Sequence, residues 1–224
     1  MTAALGISLA FAIAEWVAIA IGRRPWEYVA KPATMVFLIL WYTTRSGLPA
    51  PFPAWAFAAG MVLSLAGDIL LILPKDHFLL GLAAFLLAHI AYILALNAQG
   101  LWVTLPTLAI ASAIAMVTVW FVREVRRSLL ATGRASLIPP VIVYAFFLAL
   151  TLWSALGVLF RPGWPPVAAG LIAVGGVLFF VSDALLAWNR FVASLWNGRV
   201  FVMVTYHLAQ YALSAGMLVA LGRL

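Results

Sequence analysis

AWAFAAGMVLSLAGDILLIL, residues 54–73, decides what kind of molecule this is. It carries one charge, Asp68, and as a helix at 1.5 Å per residue it reaches about 30 Å, the thickness of a bilayer's hydrocarbon core. Seven more apolar runs, bounded by Arg/Lys, Pro, Gly and Asn, read the same way: 5–21, 26–44, 78–96, 101–122, 137–160, 167–186 and 200–221. Over the whole chain 67% of residues are apolar and 8% are charged, against about 25% charged in soluble domains. The sequence therefore predicts an all-α, polytopic membrane bundle of eight transmembrane helices in a single transmembrane domain. Eight spans of ~20 residues leave roughly 60 for connections, too few for a soluble domain, so any chemistry lies inside the bundle. In the second run, Pro32 predicts either a kinked helix that starts near Trp26 or one that starts at the proline.

The charges orient the bundle. Arg23, Arg24, Lys31, Lys75, Arg123, Arg126, Arg127, Arg134, Arg190 and Arg199 fall on one side, and Arg45, Arg161 and Arg223 on the other. By the positive-inside rule the first, third, fifth and seventh connections are cytoplasmic and both termini are not. Residues 1–22 have no early Lys or Arg, so the first run reads as a helix and not as a cleaved signal peptide. The net charge of +7 lies between apolar runs, which points to topology and anionic lipid and away from nucleic acid. The basic stretch from Arg123 to Arg134 reads as a headgroup-anchored connection. There is no cysteine, which excludes disulfides, thiol catalysis and Cys-built zinc sites. That absence, with Arg favoured over Lys, points to a bacterial inner membrane.

Soluble catalytic motifs are missing, so the signal must come from polar groups at membrane depth. Counted from the nearest cytoplasmic helix end, Glu15, Asp68, Asp183, Tyr206 and His207 lie roughly 7–12 Å deep, with Lys31 close by and His89 and Gln210 at roughly 15 Å. A lone intramembrane charge is expensive, so such groups face a bundle interior or a wet cavity and mark function. Gly60, Ser64, Gly67 and Asp68 share one side of helix 3, and Gly176, Phe179 and Asp183 one side of helix 7. On this reading small residues let backbones approach where the carboxylates point inward. Phe85, His89 and Tyr92 line one stripe of helix 4, and Met203, Tyr206, Gln210 and Met217 one of helix 8, as walls of a pocket. Asp68 precedes His89 much as Asp183 precedes His207, half a chain later, which suggests two parallel four-helix halves.

Each residue also has a plainer reading. Asp68 and Asp183 read as catalytic acids or as caps that glue helices; Lys31 as their partner or as a snorkelling anchor. Glu15 reads as a site acid or a structural partner of Lys31, and His89 and His207 as proton-transfer groups or satisfied core histidines. His77, in the Lys75-Asp76-His77 turn, reads as solvated. Two histidines and an aspartate are also a conceivable metal set. The reading adopted has none.

An ordered set of residues resembles the lysoplasmalogenase-like YhhN family of integral membrane proteins: Lys31-Pro32; Gly67-Asp68; Phe78, Gly81, Leu82, Phe85, Ala88, His89 and Tyr92; Ser182-Asp183, Leu186-Ala187 and Phe191; Tyr206, Ala209, Gln210 and Tyr211. The resemblance runs over about residues 30–215. It implies an eight-helix hydrolase that cleaves the vinyl ether bond of lysoplasmalogens, a single-chain ether phospholipid among membrane lipids, to a fatty aldehyde and a glycerophospho-base.

Vinyl ether hydrolysis needs a proton on the outer alkene carbon, an oxocarbenium-like cation and water addition. That chemistry calls for one carboxyl that holds a proton and one that has lost it, as in glycosidases. The expected pair is Asp68 and Asp183 with Lys31 as electrostatic partner, which acid plays which part being open. Glu15, His89, Tyr92, Ser182, Tyr206, His207 and Gln210 are expected to position substrate, and Arg190 with Arg199 to hold the lipid phosphate. Proton transfer and water suffice, so no cofactor is expected. Two other classes fit the same residues: a proton-coupled transporter of lipid or small molecules, and a hydrolase of another lysolipid, with or without metal.

Overall fold

The computed structural model describes residues 2–47, 49–75 and 77–224. Among them the chain forms eight α-helices and no strand: α1 (Thr2–Ala20), α2 (Arg24–Ser46), α3 (Phe52–Ile72), α4 (Phe78–Leu96), α5 (Leu105–Ala131), α6 (Ile138–Gly157), α7 (Pro166–Phe191) and α8 (Gly198–Ala220), with a 3₁₀ turn on each side of α6. All but α2 are long and apolar enough to cross a bilayer, and the protein is an integral membrane protein. The helix α2 is different in kind, since it carries Arg24, Glu27, Lys31 and Arg45.

Prolines fix where most helices begin. The first turns of α2, α3, α5, α6 and α7 each contain one, where the missing N–H has no partner to lose and φ is already helical. Pro25 therefore starts α2 at Arg24, and Pro32 sits inside an unbroken helix, so the alternative start at Pro32 does not occur. Residues 101–104, expected in the fifth helix, lie outside it. Pro106 and the reciprocal Thr104–Thr107 capping box set its start at Leu105.

The fifth and seventh helices also run further than hydropathy suggests. Arg123, Arg126 and Arg127 are not in a connection but on the last turns of α5. There Val125 and Leu129 are fully buried against Phe78 and Phe191 and Glu124 pairs with Arg127 at 2.6 Å. Burying one stripe of a basic helix is what hydropathy averaging cannot see. The hydroxyl of Ser128 donates to the Phe191 carbonyl, tying the ends of α5 and α7 together. That extension carries Arg190 on α7, its guanidinium 4.1 Å over the Phe78 ring. His77 is half-buried, while Asp76 of the same turn lies outside the described residues.

Consecutive helices pack in pairs, α1 on α2, α3 on α4, α5 on α6 and α7 on α8, and α4–α6 and α1–α8 contacts close the bundle. Leu105, Met116 and Val167 face outward, as lipid contact requires. The glycines of α3 act differently from expectation: they seat aromatic rings. A Cβ on Gly60 would come within 2.5 Å of the Tyr92 ring, and one on Gly67 within 2.5 Å of the Phe85 ring. Close helix approach occurs instead on α7, where a Cβ on Gly176 would meet the Ala155 Cβ at 2.5 Å.

Candidate functional site

At the end of the bundle that carries Arg24, Arg190 and Arg199, the interior opens into a polar cavity; deeper in, it is packed. Tyr42, Phe57, Tyr92 and Met61 pack solidly between α2, α3 and α4. Toward the open end, Glu15, Lys31, Asp68, Ser182, Asp183 and Tyr206 line a cavity, with Phe85, Leu186 and Met203 as its carbon walls.

Asp68 is 2% exposed and has two donors. Lys31 Nζ lies 3.1 Å from Oδ1, and the Tyr206 hydroxyl donates to Oδ2 at 2.6 Å. Ammonium can only donate, so this pairing describes a carboxylate with both oxygens bonded and its charge matched. The helices supply the geometry: Lys31 sits two turns into α2, and Tyr206 two turns into α8, facing the same level of α3.

Asp183 has different company. The Tyr144 hydroxyl donates to its Oδ2, and His89 Nε2 lies 3.3 Å from the same oxygen and 3.2 Å from the Tyr144 hydroxyl. On the far side of the ring, His89 Nδ1 is 3.1 Å from Thr151 Oγ1, and that hydroxyl donates to the Phe147 carbonyl at 2.9 Å. Thr151 has one proton and it is committed, so hydrogen-bond accounting assigns the Nδ1 proton to the Nδ1–Thr151 bond. Nε2, Oδ2 and the Tyr144 hydroxyl then form a three-membered cluster in which a proton placed between Nε2 and Oδ2 would be shared by imidazole and carboxylate. This arrangement can hold one transferable proton and release it toward the cavity.

Asp183 also stands at a boundary. A groove between α4, α5, α6 and α7 is walled by Phe78, Leu82, Phe121, Val141, Leu148 and Phe180, with Asp183 and Tyr144 among its lining residues. Asp183, Phe85, Leu71 and Leu186 belong to the walls of both groove and polar cavity. On its outer side the cavity continues into a mouth formed by Arg24, Glu27, Tyr28, Arg190 and Arg199, where Arg199 donates to Glu27. A chain of apolar groove, paired acids and basic mouth thus runs through one half of the bundle.

Of the other expected residues, Tyr92, His207 and Gln210 lie behind these walls. Gln210 accepts from the Tyr92 hydroxyl at 2.9 Å, and Ser64 lies 3.3 Å from the same hydroxyl, a buried knot that braces α3, α4 and α8. The hydroxyl of Ser182 faces the cavity wall but donates to the Val202 carbonyl at 2.9 Å. Trp16 Nε1 donates to His207 Nδ1 at 3.0 Å, which makes His207 a neutral ring with its proton on Nε2. That nitrogen approaches Glu15 Oε2 at 3.4 Å without forming a hydrogen bond. The two histidines face different acids, and among the described residues no three His, Cys, Asp or Glu gather as a metal set. The halves expected from the repeat are interlocked: α4 bonds the acid of α7, and α8 the acid of α3.

Three participants escaped sequence reading. Tyr144 and Thr151 lie seven residues apart on one face of α6, two turns and therefore one stripe, but each looks ordinary alone. Glu27, at the start of α2 among arginines, looks like an interfacial charge.

Residues 26–217 match the family model described as the YhhN family. The mouse protein Lysoplasmalogenase TMEM86B is 32% identical over 183 residues, covering 82% of this chain and 70% of the mouse protein. A Mycobacterium bovis protein named Lysoplasmalogenase is 30% identical over 166 residues, 70% of this chain and 58% of its own length. The Escherichia coli "Uncharacterized membrane protein YhhN" is 27% identical over 182 residues, 78% of this chain and 80% of that protein. No solved structure matches.

Proposed function

The chain belongs to the YhhN family, and from that membership we propose that it is a lysoplasmalogenase-type hydrolase cleaving the vinyl ether bond of a single-chain ether phospholipid. The observation that carries this reading is the position of Asp183, in the wall shared by an apolar groove and a polar cavity. A lipid with its chain in the groove and its phosphate near Arg190 and Arg199 in the mouth has its first chain carbons, and hence the ether bond, beside the two acids.

The hydrogen bonding supports a division of labour. Asp183, with His89 and Tyr144, delivers its proton to the outer alkene carbon, leaving an oxocarbenium-like cation on the carbon bonded to oxygen. Asp68, as carboxylate, faces that cation across the cavity and takes a proton from the water that adds to it. The hemiacetal then collapses: its hydroxyl proton passes to the glycerol oxygen, the C–O bond breaks, and aldehyde and glycerophospho-base leave. Lys31 holds Asp68 in place from α2. The remaining expected residues, Glu15, Tyr92, Ser182, Tyr206, His207 and Gln210, position these groups. In the membrane α2 is the eighth span, and the bundle is one domain. The basic mouth faces the cytoplasm, both termini lie outside, and substrate enters from the inner leaflet of the cytoplasmic membrane, a reading the clustered arginines support.

The test is to incubate purified protein in detergent with lysoplasmenylethanolamine and quantify fatty aldehyde by mass spectrometry, alongside Asp68→Asn and Asp183→Asn. Aldehyde from wild type and almost none from folded variants is expected. Aldehyde from all three would overturn the acid pair; none from folded wild type would overturn the hydrolase itself.

A further inference from the structure

The mouth contains a feature that a plain phosphate site would not tolerate. Glu27, in the first turn of α2, is 2% exposed and lines both the polar cavity and the mouth. Its Oε2 is bonded by Arg199. Its Oε1 is buried and has no hydrogen-bond partner. A buried carboxylate oxygen without a donor is costly, and beside arginines meant for an anion it also repels that anion. Both objections vanish if the ligand brings its own cationic donor next to its phosphate.

Register along α2 fits such a ligand. Glu27 and Lys31 are one turn apart, about 6 Å along the axis, with Lys31 at the level of Asp68 and Glu27 nearer the arginines. A lipid whose ether bond lies at Asp68 and Asp183 therefore passes its glycerol and phosphate outward to this level. A primary ammonium carries N–H donors for Oε1; a trimethylammonium carries none and is bulkier. Resting on the lysoplasmalogenase reading above, we propose that Glu27 recognises the primary ammonium of an ethanolamine headgroup, making the site selective for ethanolamine over choline lysolipids.

The experiment compares kcat/KM on lysoplasmenylethanolamine and lysoplasmenylcholine, for wild type and Glu27→Gln. Wild type should favour the ethanolamine lipid by about tenfold or more, the value of one charged hydrogen bond, and the preference should fall toward one in Glu27→Gln. Equal rates in wild type, or a preference that survives the substitution, overturn the proposal. Should Glu27→Gln be inactive on both, competition in wild type decides: glycerophosphoethanolamine must inhibit more tightly than glycerophosphocholine, and equal inhibition overturns. If wild type cleaves neither lipid, the hydrolase reading has failed and the headgroup reading is settled separately. Lysophosphatidylethanolamine must then raise the melting temperature of wild type more than lysophosphatidylcholine does, and equal shifts overturn it.

Discussion

Asp68 and Asp183 line one cavity and come from helices of like composition, yet their surroundings differ in one respect. The partners of Asp68, Lys31 and Tyr206, give it donors from both sides, and the ammonium makes the charged form the one that is bonded. Asp183 meets a phenol and an imidazole whose ring nitrogen faces its oxygen, and an imidazole can both carry and surrender a proton. The contrast teaches that a carboxyl's role is written in its partners and not in its own depth or burial. Both acids are nearly sealed from solvent, at 2% and 8% exposure, so burial alone would make them equivalent.

The strongest way to break this contrast is to remove each acid in turn. Asp183→Asn removes the proton donor and should lower aldehyde release by about 10²–10⁴-fold. Asp68→Asn should cost a similar factor, and in addition it leaves the Lys31 ammonium facing a neutral amide. Only that variant should lose thermal stability markedly, read as melting temperature in detergent. Two variants of equal stability would erase the proposed difference in charge state.

Removing the partner is the next largest perturbation. Lys31→Met keeps the length of the stem but withdraws the cation, and should cost about 10²-fold in kcat, as for loss of one preorganised charge-stabilising donor. On the Asp183 side, Thr151→Val keeps the shape and deletes the acceptor for the His89 Nδ1–H, leaving that donor buried and unpaired. About tenfold lower kcat is expected, with KM unchanged and the pH profile displaced, since Thr151 acts through His89 and touches no substrate. A Thr151→Val profile that superimposes on wild type would separate His89 from proton delivery.

How much of this was legible beforehand follows from what each residue's neighbours in sequence reveal. All-helical membrane character was plain from the apolar runs, and the helix count from their breaks. The ends of α5 and α7 were not, because Val125, Leu129 and Phe191 are buried among basic residues that lower any average of hydropathy. The acids stood out because an apolar helix has no other reason to carry Asp68 or Asp183. Tyr144 and Thr151 did not, since a tyrosine and a threonine in an apolar helix are unremarkable until a fold brings His89 between them. Lone polar residues were readable, and so was Lys31 as a partner for the acids; the partners of His89 were not, because they lie on another helix 55 and 62 residues away.

The smallest effect tests the wall between the two sites. Phe85 lines both groove and cavity, and its ring rests on Gly67, next to Asp68, so closely that a Cβ there would come within 2.5 Å of it. Gly67→Ala therefore cannot be absorbed by the α3 backbone and must push the ring. Overpacking of this kind costs about 1–3 kcal/mol, part of which alanine's better helix propensity offsets, by up to about 1 kcal/mol. The net expectation is a modest fall in melting temperature together with a larger change in KM than in kcat, because the displaced ring narrows the path of the chain while both acids keep their partners. Phe85→Leu in the same background, which shortens the side chain at the clash, should restore stability. If it does not, the ring is not what Gly67 accommodates, and the separation of groove from cavity must be assigned to Leu71 or Leu186.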